Sequence, residues 1–162
     1  MSSADKNLSK FEGSAIPDGT GMKIGILVSE WNIEITDALR KGAVQTLLEN
    51  NVASVNIIEK YVPGSYELTL GAQMMCMDSS YDAVICLGCV IQGETRHFDF
   101  ICNAVANGIT NVNLQFNKPV IFGVLTTDTL LQAQERAGGK HGNKGTEAAV
   151  TALKMIALKR SL

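Results

Sequence analysis

No apolar run in the 162-residue chain approaches the ~18 residues of a membrane-spanning helix, so the sequence excludes a helical membrane span. An excess of charge is lacking too. The 14 Lys and Arg stand against 16 Asp and Glu, a net charge of −2, and no basic stripe forms. Nucleic-acid binding depends on clustered cations, so nucleic acid is not an expected partner. Cysteine is sparse and poorly spaced for metal: Cys86-Leu87-Gly88-Cys89 is a lone C-x-x-C, and a structural zinc site needs a second pair. A thioredoxin-type pair would open a helix, whereas Cys86 lies inside an apolar run. Cys76, Cys86, Cys89 and Cys102 therefore read as small buried hydrophobes in a reducing compartment. A signal-peptide core is missing as well, its place held by Asp5, Lys6, Lys10 and Glu12. A cytoplasmic location is expected, with no organellar import segment in this chain.

What is present is a repeated strand-then-helix pattern. Residues 1–20 mix charge, Ser and Gly, and read as an arm ordered by a neighbouring subunit. Residues 21–162 form one domain. Strands are predicted at 23–28, 55–62, 83–87 and 120–125, the second alternating like an edge strand and the others continuous like strands covered on both faces. Ile35, Leu39, Ala43, Leu47 and Leu48 make a helical stripe ending at Asn50-Asn51. Pro63-Gly64 breaks the second strand, and Ser65 is placed to cap a helix running to Asp78. Phe98, Ile101, Cys102, Val105, Ile109 and Val112 share one face of a long helix ending near Asn117. Thr126-Thr127-Asp128 is placed to cap a fourth helix that stops at Gly138-Gly139, and a fifth starts near Asn143. This alternation predicts an α/β fold, a flavodoxin-like three-layer sandwich around a four-stranded parallel sheet.

Several nucleotide fingerprints fail on spacing. G-x-x-x-x-G-K-[ST] matches residues 138–145 in no register, and no G-x-G-x-x-G follows the first strand. Unusual residues nevertheless gather where strands end: Trp31-Asn32 after the first, Ser65-Tyr66-Glu67 after the second, residues 93–97 after the third, and Thr126-Thr127 after the fourth. Each has an ordinary reading. Trp31 can cover the sheet edge, Glu67 can serve its own helix dipole, and Arg136 can complement a helix C-terminus. Their coincidence at one edge of the sheet favours a pocket. There a helix start suits a phosphate, and His97 supplies a side chain that exchanges protons near neutrality.

Four motifs then occur in order: Val62-Pro63-Gly64-Ser65-Tyr66-Glu67-Leu68; Gly88-Cys89-Val90-Ile91-Gln92-Gly93-Glu94-Thr95-Arg96-His97-Phe98-Asp99; Phe122-Gly123-Val124-Leu125-Thr126-Thr127, followed by Gln132-Ala133 and Glu135-Arg136-Ala137-Gly138; and Gly142-Asn143-Lys144-Gly145. On these residues the chain resembles the 6,7-dimethyl-8-ribityllumazine synthase family over nearly all of 13–160. The resemblance implies a transferase of riboflavin biosynthesis. It would condense 5-amino-6-(D-ribitylamino)uracil with 3,4-dihydroxy-2-butanone 4-phosphate, releasing phosphate and water, with no metal or other cofactor. It also implies the roles. His97 would shuttle protons, and Glu94, Thr95 and Arg136 would hold the phosphate. Trp31 would stack on the pyrimidine beside Asn32. Ser65, Tyr66, Glu67, Cys89, Val90 and Ile91 would bind the ring and ribityl chain. Phe122 would reach a pocket shared with a neighbouring subunit, and Lys144 would line it. Many relatives carry Phe at position 31, so the larger indole is expected to favour lumazine or flavin products. The resemblance further implies a pentamer, and the short connector at 138–142 implies a sixty-subunit shell. Two rivals stand beside the enzyme: an idle flavin-binding relative, which would lose His97 or Arg136, and a regulatory module, which needs no phosphate turn.

Overall fold

The computed structural model describes residues 15–162. Strands and helices alternate as β1 (Ile24–Ser29), α1 (Ile33–Glu49), β2 (Ile57–Val62), α2 (Leu68–Met77), β3 (Ala83–Ile91), α3 (His97–Phe116), β4 (Val120–Thr127) and α4 (Leu130–Arg136). A two-stranded hairpin, β5 (Ala137–Gly139) and β6 (Gly142–Asn143), then leads into α5 (Lys144–Ser161). The main sheet is parallel throughout, in the order β2-β1-β3-β4. This is the predicted three-layer α/β sandwich.

The two faces of β3 explain the layers. Side chains alternate across a strand. Ala83, Ile85, Leu87 and Cys89 join α1 and α5 in one core cluster, while Val84 and Cys86 join α2 and α3 in the other. Every residue from 83 to 89 is buried, as a continuous apolar run predicts for a strand covered on both sides. β2 is an edge strand with no fully buried residue, as its alternation indicates. The expected arm divides at the limit of the described residues. Residues 1–14 lie outside them, whereas Ile16 packs against the α1–α5 core and the Gly19 amide donates to the Asn50 carbonyl at 2.7 Å.

Local departures from the sequence reading have identifiable causes. β2 begins at Ile57 because Ser54–Asn56 forms a 3-10 turn. β3 and β4 run on to Ile91 and Thr127, since Val90 and Ile91 pair with Thr126 and Thr127, all β-branched residues suited to a strand. Ser65 does not cap α2; its hydroxyl is buried without a hydrogen bond. The cap of α4 is Thr129, whose Oγ1 accepts from the Gln132 amide at 3.2 Å, rather than the preceding Thr126-Thr127-Asp128. On α3, Val105, Ile109 and Val112 are buried, but Phe98, Ile101 and Cys102 only partly so. Asn117, at φ 45°, closes that helix.

α5 starts where expected, and its cap also ties two helices together. The Asn143 Oδ1 accepts from the Gly145 and Thr146 amides at 2.8 and 3.2 Å, while Nδ2 donates to the Ala38 carbonyl of α1 at 2.9 Å. Loss of a helix cap costs about 0.5–2 kcal/mol. Asn143→Ala should therefore lower the thermal unfolding midpoint, and by more than the cap alone, because the α1 contact is lost with it. Differential scanning calorimetry of the two proteins checks this.

Candidate active site

The chain direction reverses between β1 and β3: β1 leads outward to β2, and β3 leads outward to β4. Ligands of open α/β sheets bind at this kind of switch point, outside the carboxyl ends of the strands. Here the edge is stepped. β1 pairs with β3 only as far as Val28 opposite Leu87, while β3 continues along β4 to Ile91 opposite Thr127. Residues 88–91 thus overhang the end of β1 and form one wall of a notch.

Each loop around the notch is fixed by the backbone beneath it. After β1 the chain stays beside β2, the Glu30 and Trp31 amides donating to the Val62 and Pro63 carbonyls at 2.8 and 3.0 Å. Asn32 then adopts a left-handed conformation, φ 59°, and its Nδ2 donates to the Cys89 carbonyl at 3.0 Å. Asn is one of the few non-glycine residues that enter this region readily. The Trp31 indole lies against Gly64, where a Cβ would stand 2.6 Å from the ring, and the side chain remains 66 % exposed. Only glycine fits beneath that ring.

The Gly64 amide donates to Glu67 Oε2 at 3.0 Å, which orients the carboxylate at the mouth of the notch. Ser65 packs on Gly88, and Tyr66 is exposed beside it. A cavity of about 430 Å³ opens next to these residues, lined by Tyr66, Glu67, Thr69, Leu70, Gln73 and Ala104.

Beyond the overhang, the Gln92 amide donates to the Thr127 carbonyl at 2.8 Å. Among the described residues, the amides of Gly93, Glu94, Thr95 and Arg96 find no acceptor. They lead directly into α3, whose first residue is His97, and the Thr95 hydroxyl lies 3.4 Å from the His97 amide. Gly93 is not in the left-handed region, and a Cβ there would meet nothing within 4 Å. Nothing in the chain itself demands glycine at this position.

Arg136 ends α4. Its Nη1 donates to the His141 carbonyl at 2.7 Å, and Nη2 lies 3.1 and 3.2 Å from the two oxygens of Glu147. Lys144 Nζ approaches the same carboxylate at 3.3 Å. The hairpin that carries the His141 carbonyl depends on Gly138 and Gly142, at φ 117° and 83°. Glu147 escaped the sequence reading: eleven residues and a hairpin separate it from Arg136, and its only local signal was an acid in the first turn of a helix.

The fold thus gathers Trp31, Asn32, Ser65, Tyr66, Glu67, Cys89, Val90, Ile91, Glu94, Thr95 and His97 around one edge of the sheet. Arg136 and Lys144 form a separate group on the α4–α5 connection, and neither His97 nor Arg136 lines the cavity beside Tyr66. Phe122 is not part of the gathering. It sits on the outer edge strand opposite Cys86, five residues before Thr127, so roughly 16 Å lower along the strand.

The model of the family described as 6,7-dimethyl-8-ribityllumazine synthase matches residues 21–160. The chain belongs to this family. Among proteins named 6,7-dimethyl-8-ribityllumazine synthase, that of Cytophaga hutchinsonii is 66% identical over 157 residues, covering 97% of this chain and 98% of its own. That of Porphyromonas gingivalis is 56% identical over 160 residues, with 99% of each chain covered. The family match spans all four strands of the main sheet, the hairpin and the whole notch. Among the described residues no helix is long and apolar enough to cross a membrane.

The two thiols of the central strand β3, Cys86 and Cys89, are buried. Burial pushes Cys89 up to about 11 and Cys86 higher still. The thiolate is the reactive form, and at pH 8 it makes up only about one part in a thousand of a thiol with that pKa. Both should resist iodoacetamide in the native protein at pH 8 and react after denaturation, as peptide mass spectrometry will show.

Proposed function

We propose that this chain condenses 5-amino-6-(D-ribitylamino)uracil with 3,4-dihydroxy-2-butanone 4-phosphate to give 6,7-dimethyl-8-ribityllumazine, phosphate and water. Family membership supports the overall reaction. The observation that carries the local reading is the run of four unpaired amides, residues 93–96, at the start of α3 beside His97. Backbone N–H groups at a helix start suit a phosphate. The open space at Gly93 leaves room for one to approach.

Glu94 and Thr95 hold the phosphate of the ketone together with Arg136 of a neighbouring copy. Trp31 stacks on the pyrimidine with its open face, and Asn32, Ser65, Tyr66, Glu67, Cys89, Val90 and Ile91 surround the ring and ribityl chain. The amine attacks the ketone, water leaves as the imine forms, phosphate is eliminated, and a second amine closes the ring with loss of water. His97 gives and takes the protons of these steps. Holding two small molecules in register supplies most of the acceleration, about 7–11 kcal/mol in favourable cases.

A homo-oligomer completes the pocket. Leu70, Met74 and Met77 of α2 and Phe100 and Leu114 of α3 are exposed, from 56 % to 77 %, an apolar surface suited to a second copy. Phe122, remote from its own notch, then serves a neighbour's, and Lys144 lines the pocket. The assembly is a pentamer, arranged further into a sixty-subunit shell, in the cytoplasm. Residues 21–162 are the catalytic domain.

Mixing the purified protein with both substrates should produce lumazine fluorescence. His97→Ala should lower kcat by about 10²-fold yet leave activity well above the uncatalysed rate, because orientation survives. Arg136→Ala should reduce kcat/KM for the ketone phosphate at least as much; steady-state kinetics with kcat and KM both unchanged would refute its role. Sedimentation separates the assemblies, since the 17.4 kDa chain gives a pentamer near 90 kDa or a shell of about 1 MDa.

A further inference from the structure

The motifs single out Arg136 and Lys144 but not the carboxylate that both of them face. Glu147 projects from the first turn of α5, and its side chain is only 9% exposed. Arg136 Nη2 stands 3.1 Å from Oε1 and 3.2 Å from Oε2, and Lys144 Nζ stands 3.3 Å from Oε2. Only the contacts to Oε2 have hydrogen-bond geometry, so Oε1 is buried without a hydrogen bond. A buried carboxylate oxygen left in that state calls for an explanation. Charge supplies one: a single anion holds two cations together, leaving a net positive cluster with Arg136 22% and Lys144 27% exposed.

Like charges brought this close separate unless a counter-ion sits between them. Removing one partner from a buried ion pair leaves the other uncompensated and drives it toward water. The His141 carbonyl alone, 2.7 Å from Nη1, offers no charge to oppose either effect.

We propose that Glu147 is a positioning residue that presets Arg136 and Lys144 as one cation pair for the phosphate of the ketone substrate. The inference rests on the reading of Arg136 as the phosphate anchor. Glu147 touches neither substrate; it fixes where the guanidinium and ammonium stand before the phosphate arrives.

Steady-state kinetics of the full-length protein, varying each substrate in turn, test this with Glu147→Ala, Glu147→Gln and Arg136→Ala. Glu147→Ala should raise KM for the ketone phosphate at least tenfold while KM for the aminouracil moves less than twofold. Glu147→Gln should raise the ketone-phosphate KM about threefold, because its amide oxygen accepts from one cation but balances neither charge. Glu147→Gln keeps the volume of the side chain, so it carries the test if Glu147→Ala fails to fold. Calorimetric titration with inorganic phosphate should show weaker binding in the same order. A purely structural role would raise both KM values together or lower kcat alone, and either result overturns the proposal. If Arg136→Ala raises the ketone-phosphate KM and the Glu147 variants do not, Glu147 has no positioning role and the phosphate anchor stands. If Arg136→Ala also leaves that KM unchanged, the anchor reading falls and this inference with it.

Discussion

β3 runs four residues past the last pair it makes with β1, and the polar backbone along that overhang needs partners other than a strand. Asn32 supplies one, its amide bonded to the Cys89 carbonyl, and to do so it takes a backbone conformation that few residues tolerate. The position of the notch depends on this bond. It holds the loop after β1 against the end of β3, and the hydrogen bonds from Glu30 and Trp31 to the end of β2 hold its other side. The indole, the Glu67 carboxylate and the unpaired amides before α3 are then set around one opening by three separate strand ends. Side chains held this way lose little further freedom when a ligand binds, which is the physical content of preorganisation.

A second group, apart from the notch, is organised by charge. Glu147, Arg136 and Lys144 lie on the hairpin-bounded joint between α4 and α5, and Asn143 fastens that joint to α1. An acid in the first turn of α5 also favours the positive end of its helix dipole, so the same side chain serves the helix and the cations. The notch is built of backbone donors and an aromatic face, and the α4–α5 joint of two cations sharing one anion.

Much of this was legible in the sequence because it is local. The succession of strands and helices follows from alternating apolar runs and helical stripes, and several strand-end residues lie next to glycine and proline breaks. What escaped is what depends on distant parts of the chain. Ser65 reads as a cap by its position, yet the fold turns it onto Gly88 and leaves its hydroxyl unbonded. Gly88 after Leu87 and the threonines after Leu125 suggest turns, but mutual pairing carries β3 and β4 onward. Glu147 is hard to pick out because Arg136 reaches it from across a hairpin, and only Lys144 is its neighbour on the same helix. Phe122 carries a motif that a single chain does not explain, since the fold sets it well below its own notch on the edge strand.

The indole of Trp31 rests on Gly64 with no room for even a methyl group between them. Positions 31 and 64 are therefore not free to drift separately over evolutionary time. Any side chain at 64 must wait for a smaller or displaced ring at 31, and a lineage that keeps a large aromatic there is bound to keep its glycine. The two sites should be inherited as a unit, a correlated pair written into the history of the sequence by the thickness of one aromatic ring.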